Sequence, residues 1–316
     1  MKTLLFYLLL FISTFNGFIN DCKASKEPLS HHQEIIRFFD NYMQHYNDYI
    51  KDRSNTQALK KMAATYHKSA FQIIPGVPVL PLDNVDKLVK GSQRFLDGLV
   101  AQGVTYIKWQ KVNIELLTDA TAYVSNVGVR YKKNGQIFNK AAADYLIVKT
   151  AQGWKIATLV LRSIDDVKNP EKIQEIKQFM AKYLKNYNDT LDDDAYYIET
   201  MPSLRAASED LNIPAINISP VGEFLLFTSK KQVADNTKAF IFDLKTQGAT
   251  HIAYEKIQIK MLTESTALVS NIASINKSSN SALFKIGATY LINKTQQGWH
   301  IITRTIHSAD SILRIN

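Results

Sequence analysis

The feature that most constrains this chain is that it repeats itself. Gln102-Gly103-Val104-Thr105 returns as Gln247-Gly248-Ala249-Thr250. The run Leu117-Thr118-Asp119-Ala120-Thr121-Ala122-Tyr123-Val124-Ser125-Asn126 returns as Leu262-Thr263-Glu264-Ser265-Thr266-Ala267-Leu268-Val269-Ser270-Asn271. Tyr145-Leu146-Ile147 recurs as Tyr290-Leu291-Ile292, and Gln152-Gly153-Trp154 as Gln297-Gly298-Trp299. Spacing is constant from Ala101 to Asp165, and roughly two-fifths of the paired positions are identical. Phe38, Tyr42 and Tyr46-Asn47-Asp48 match Phe179, Tyr183 and Tyr187-Asn188-Asp189 at a slightly shorter offset, so the second copy carries a small insertion. One fold used twice is the expectation, over residues 31–166 and 171–312. Pro170 stands at the joint, where it can start a helix but not continue one.

With 316 residues, the chain is long enough for two cores without disulfides or metal staples. It has one cysteine, so neither an intrachain disulfide nor a cysteine zinc cage is open to it. Lys2 followed by the apolar run Leu4–Phe18 reads as a secretory signal, with Cys22-Lys23-Ala24 as the processing site. The expectation is an exported protein, periplasmic or secreted, that loses residues 1–24. That run is too short and interrupted to predict a membrane span. Cys22 as a lipid-attachment residue is the weaker alternative, because Asp21 stands where a small residue belongs. The net charge of +9 is spread along the chain without a basic block, so no nucleic-acid partner is expected.

Within one copy, Ile35, Ile36, Phe39, Tyr42, Met43 and Tyr46 recur at helical spacing. A second helix is predicted over Thr56–Tyr66, a strand over Phe71–Ile74, a brief strand at Val79-Leu80, and a helix over Val85–Val100 capped by Asp83 or Asn84. Four strands follow, over Tyr106–Leu117, Thr121–Lys132, Gln136–Lys149 and Trp154–Ser163, with Asn134-Gly135 as a hairpin turn. This is α+β, with helices packed on one face of an antiparallel meander.

That order, with Gly153-Trp154-Lys155-Ile156 opening the last strand, resembles the NTF2-like (SnoaL-like) superfamily across both copies. The resemblance implies two tandem cones, each a curved, mostly antiparallel sheet wrapped on three helices around an apolar pocket. It also implies a choice between binding domains and enzymes such as isomerases, dehydratases and cyclases. Its motifs are structural and do not select among these.

Asp144 and Arg162 form the best candidate catalytic pair. Both lie on the last hairpin with the parity of Leu146 and Val160, one diagonal step apart if they share a side. A carboxylate beside an arginine in an apolar setting is a polarised acid or base. In the second copy they become Thr289 and His307 together. Candidate ligand-binding residues are Tyr42, Tyr46, Trp109, Tyr145, Tyr183, Tyr187, Tyr254, Tyr290 and His307. In the resemblance, a first-helix tyrosine such as Tyr42 or Tyr46 donates to an oxyanion in ketosteroid isomerases; packing is the competing role. The histidines lack metal-ligand spacing and no phosphate-cradling glycine loop occurs, so neither a metal nor a cofactor is expected. The function expected is a two-domain protein binding an apolar or amphipathic small molecule or a protein partner, without catalysis. The alternative is an isomerase, dehydratase or cyclase using Asp144 and Arg162. The outer sheet faces are expected to pair within one chain, giving a monomer with an internal pseudo-dimer.

Overall fold

The computed structural model describes residues 29–192 and 202–313, apart from 76, 78, 83, 166, 279, 280 and 312. Residues 1–24, expected to be a signal, and Cys22 within them lie outside the described residues. The first repeat runs α1 (His31–Lys51), α2 (Thr56–Ala63), β1 (Tyr66–Ile73), β2 (Leu80–Leu82), α3 (Val85–Ala101), β3 (Val104–Thr118), β4 (Thr121–Lys132), β5 (Ile137–Thr150) and β6 (Gly153–Arg162). The second repeats that order as α4 (Pro170–Asp192), α5 (Pro202–Glu209), β7 (Leu211–Ile218), β8 (Phe224–Phe227), α6 (Lys230–Thr246), β9 (His251–Met261), β10 (Thr266–Asn276), β11 (Ala282–Thr295) and β12 (Gly298–Ser308). Each repeat is an α+β unit with its own six-stranded sheet, ordered β2-β1-β6-β5-β4-β3 and β8-β7-β12-β11-β10-β9, as the resemblance implies. Among the described residues, no helix is long and apolar enough to cross a membrane.

Local chemistry sets the boundaries. Asn84 caps α3 by accepting from the Lys87 amide at 2.9 Å. Ser229 and Gln232 form a reciprocal capping box on α6. Helix α4 begins at Pro170, with Asn169 accepting from the Lys172 amide. Expected boundaries shift around β1: α2 ends at Ala63 rather than Tyr66, because Tyr66 opens β1, which starts five residues ahead of the expected Phe71, and β2 spans Leu80–Leu82 rather than Val79-Leu80. That strand runs parallel to β6, with Tyr66 beside Ile156, so the sheet is mixed rather than a pure meander.

Two side-chain clamps occur in both repeats and fix helix to sheet. Asn47 on α1 donates to the Ile107 carbonyl at 2.9 Å and accepts from the Ile107 amide at 2.8 Å. Asn188 on α4 does the same to Ile252, at 2.9 and 2.7 Å. Strands β3 and β9 are sheet edges, so each asparagine satisfies backbone groups that have no neighbouring strand. In the second clamp, Trp154 Nε1 donates to Glu34 at 3.1 Å and Lys149 reaches the same carboxylate at 2.7 Å. Trp299, Glu175 and Lys294 repeat it, at 3.0 and 2.5 Å. This explains why the Gly-Trp motif and the lysine before it recur together.

Each sheet is covered on both faces. Odd-numbered β5 residues, such as Ala143, Tyr145 and Ile147, pack on α1 with Phe39 and Tyr42. Leu146, Val148 and Val160 point the other way, into a core shared with Leu268, Leu291 and Ile302 of the second repeat. Equivalent threonines meet there, with Thr158 Oγ1 3.3 Å from Thr303 Oγ1. Contact between the same residue of both copies marks the axis of an isologous, dimer-like interface. Burying each such leucine or isoleucine contributes about 1.5–3 kcal/mol, so this second core is a substantial part of the fold.

Candidate functional site

The second cone holds a cavity of about 420 Å³. Strand alternation places Asn271, Ala288, Tyr290, Arg304 and Ile306 on its concave side, with Tyr290 and Arg304 paired across β11 and β12. Tyr183 and Tyr187 project together from α4, and Asn236 and Phe240 from α6, because residues four apart share a helix face. The rest of the lining is mostly aliphatic and aromatic, including Ile252, Tyr254 and Ile286.

Arg304 organises the polar end. Its Nη1 donates to Tyr187 Oη at 2.7 Å and to Tyr183 Oη at 3.2 Å. Its Nε donates to Asn217 Oδ1 at 2.8 Å, and its Nη2 to Asn236 Oδ1 at 3.2 Å. Tyr183 donates in turn to Tyr187 at 3.1 Å. Burial opposes charge on Arg304, but the surrounding phenol oxygens offset that and the guanidinium stays protonated. Burial also opposes ionisation of Tyr187, yet the guanidinium and the bond from Tyr183 outweigh it and hold this phenol below its usual value. Tyr183 moves well up, from burial and the adjacent Tyr187. Burial pushes Tyr290 up to about 12 and raises Tyr254 well above its usual value. The Asn271 amide is 1% exposed and has neither of its polar atoms in a well-formed hydrogen bond, with the Tyr290 hydroxyl as its neighbour.

The first cone is built differently at the same positions. Strand register matches Arg304 to Leu159, Asn217 to Gln72 and Leu211 to Tyr66. The first-helix tyrosines are therefore closed off by a third tyrosine instead of a cation: Tyr42 Oη lies 2.9 Å from Tyr46 Oη and 2.7 Å from Tyr66 Oη. Phe39, where the second repeat has Met180, stacks edge-on against Tyr42, Trp109 and Tyr145. Trp109 Nε1 donates to the Phe39 carbonyl at 3.1 Å. All the residues lining the 420 Å³ cavity come from the second repeat.

The structure thus divides the sequence-predicted residues. Tyr183, Tyr187, Tyr254 and Tyr290 line the cavity, whereas Tyr42, Tyr46, Trp109 and Tyr145 pack the first cone. Asp144 and Arg162 do pair, with Nε donating to Oδ1 at 2.9 Å, while Arg162 Nη2 donates to Ser125 Oγ at 3.0 Å. Their side of the sheet is the correction: they face the second repeat, not a cone. Asp144 borders a void of about 20 Å³ between the two sheets, shared with Leu268, Thr289 and Thr303. That is room for about one water and far too little for a substrate. The geometry is that of a structural ion pair. His307 is corrected likewise. It is 2% exposed in the sheet interface, bonded through Nε2 to Thr289 at 3.0 Å and through Nδ1 to the Ser308 carbonyl at 2.9 Å. A carbonyl can only accept, so Nδ1 carries the proton and Nε2 accepts from Thr289. Burial lowers its affinity for a second proton. Gly287 makes room for the ring, since a Cβ there would lie 2.3 Å from His307 Nδ1.

Arg304, Asn217, Asn236 and Asn271 escaped the sequence reading. The available signal is a charge gained by the second copy, where Leu159 becomes Arg304. Among the described residues, no group of three or more His, Cys, Asp or Glu side chains could hold a metal ion.

Solved structures similar to the chain each match about half of it. Aln2 from a Streptomyces species aligns at 13% identity over 46% of this chain and 95% of its own, with a TM-score of 0.37. An NTF2-like protein with a cystatin-like fold from Novosphingobium aromaticivorans aligns at 15% identity over 47% of this chain and 93% of its own, with a TM-score of 0.35. An NTF-2-like protein of unknown function from Shewanella oneidensis aligns at 16% identity over 43% and 98%, with a TM-score of 0.32. No curated protein matches the sequence. The family model described as NTF2-like protein (DUF6841) matches twice, over residues 33–163 and 174–309, and the chain belongs to that family as a tandem pair of its domains.

Proposed function

We propose that this is an exported, non-catalytic binding protein whose second cone holds an apolar or amphipathic small molecule. The observation that carries the reading is the 420 Å³ cavity, apolar over most of its wall and polar around Arg304. Ligand sites of about 300–1,000 Å³ with a few convergent polar groups are the usual form of a small-molecule pocket. The first repeat then acts as the structural partner that covers the second sheet. Because the outer sheet faces are used within the chain, the protein is a monomer, and sedimentation giving a stable larger assembly would count against this. Export rests on the Lys2 and Leu4–Phe18 signal pattern, and N-terminal sequencing of the mature protein should begin at Ser25. An isomerase, dehydratase or cyclase working through Asp144 and Arg162 is the less favoured reading, since the void bordering Asp144 is only about 20 Å³.

Native mass spectrometry of the protein isolated from its own producing cells tests the binding reading. A retained small molecule, lost when Tyr187 and Phe240 are both changed to alanine, is the expected result. The bare chain mass, together with no thermal shift from any amphipathic compound, would refute it.

A further inference from the structure

We propose that the ligand of the second cone is an organic monoanion, a carboxylate on an apolar body, anchored by Arg304. This rests on the binding reading above and specifies the class of ligand. Arg304 is the one charged side chain among the residues lining the cavity. Its four neighbours in hydrogen-bond contact are neutral oxygens, of Tyr183, Tyr187, Asn217 and Asn236. Those oxygens satisfy its geometry without cancelling its charge. A cation in a largely apolar enclosure carries a desolvation cost that hydrogen bonds to neutral groups offset only in part. A single negative charge brought by a ligand completes the compensation, and a single cation selects a monoanion over a dianion.

Donors for that anion are in place. Guanidinium has five N–H groups, and the four bonds leave one Nη2 N–H unassigned. Tyr187 is already engaged by Arg304, Tyr183 and Thr237, so it positions the guanidinium rather than meeting the anion. The Asn271 amide, buried on the concave wall, lacks a well-formed bond. Guanidinium and amide donors around an apolar wall match a carboxylate headgroup with a hydrocarbon or aromatic body. A comparison inside the same chain supports the assignment. Where Leu159 replaces the arginine, Tyr66 fills in beside the tyrosine pair and the first cone needs no anion.

The test is calorimetric titration of the full-length mature protein with two matched series. These are decanoate, decanamide and decylamine, and 2-naphthoate, 2-naphthamide and 2-naphthylmethylamine. At least one carboxylate should bind roughly ten- to a hundredfold more tightly than its neutral amide, and the amines should bind most weakly. Arg304→Leu, which installs the first repeat's own residue, should abolish the preference, so that each carboxylate binds no more tightly than its matched amide. Arg304→Lys should keep part of the preference and guards against a Leu variant that fails to fold. Amides binding as tightly as carboxylates, or carboxylate affinity surviving in Arg304→Leu, would overturn the inference and leave the binding reading standing. Absence of binding by every compound would overturn both.

Discussion

The asparagine clamps offer a stability test whose size follows from the geometry. Changing Asn47 to alanine removes two hydrogen bonds to Ile107, of 2.9 and 2.8 Å, and Asn188→Ala removes two to Ile252. A typical intramolecular hydrogen bond contributes about 1 kcal/mol net, so two give about 2 kcal/mol. The isoleucines are 6% and 7% exposed, and on an edge strand no neighbour can take over the freed N–H and C=O. Desolvation of those orphaned groups raises the expected cost to about 2–3 kcal/mol per clamp. In a domain of this size that lowers Tm by about 5–10 °C. Asn→Asp is the sharper variant. It keeps an acceptor for the amide but turns the donor into an oxygen facing the isoleucine carbonyl, so at neutral pH it should cost at least as much as alanine. Urea unfolding followed by circular dichroism reads the change as a lower midpoint at constant slope. The two clamps share no partner, so the double variant should show the sum of the single effects. A loss below about 0.5 kcal/mol for both alanine variants, or aspartate tolerated as well as asparagine, would show that these bonds do not anchor helix to sheet.

Three further outcomes follow. Glu34 is held at about 2 by Lys149 and then by Trp154 and His31, against an ordinary 4.5. A carboxyl depressed in the folded state contributes stability that is complete above its unfolded value and is lost as pH falls from about 4.5 toward 2. With Glu34 at 30% exposure that contribution is about 1 kcal/mol after solvent screening, and Glu34→Gln should flatten this acid limb in denaturation midpoints measured across pH. Gly287→Ala forces a Cβ against His307 Nδ1 and the Ser308 carbonyl, and should destabilise by about 1–3 kcal/mol in the same unfolding assay, with His307→Ala on top relieving part of it. Asp144→Asn weakens the bond to Arg162 in the sheet interface. It should lower stability by about 1–3 kcal/mol while leaving ligand affinity in the second cone unchanged; an altered affinity with intact stability would mean the pair serves the site.

Much of this architecture is legible in the residues themselves. Repetition requires one fold twice, Asn84 and Pro170 mark helix starts through capping and fixed backbone geometry, and Asn134-Gly135 marks a hairpin. These are local effects, readable from neighbours in the chain. Pairing of Asp144 with Arg162 was legible for the same reason, because hairpin register follows from its turn. Which face of the sheet that pair occupies was not. In a half-exposed sheet the apolar side identifies the core, but here both sides are buried, one by helices and the other by the second repeat, so alternation carries no label for inside. Bulges at Leu146/Ile147 and Leu291/Ile292 shift the pairing further, and parity counted from one end of the strand fails at the other. Only the assembled cones bring Arg304 to Tyr183, Tyr187, Asn217 and Asn236, four partners separated from it by 68 to 121 residues of chain. Sequence alone determined a duplicated α+β scaffold. Tertiary packing decided that the second copy lines the 420 Å³ cavity and which face of its sheet does so.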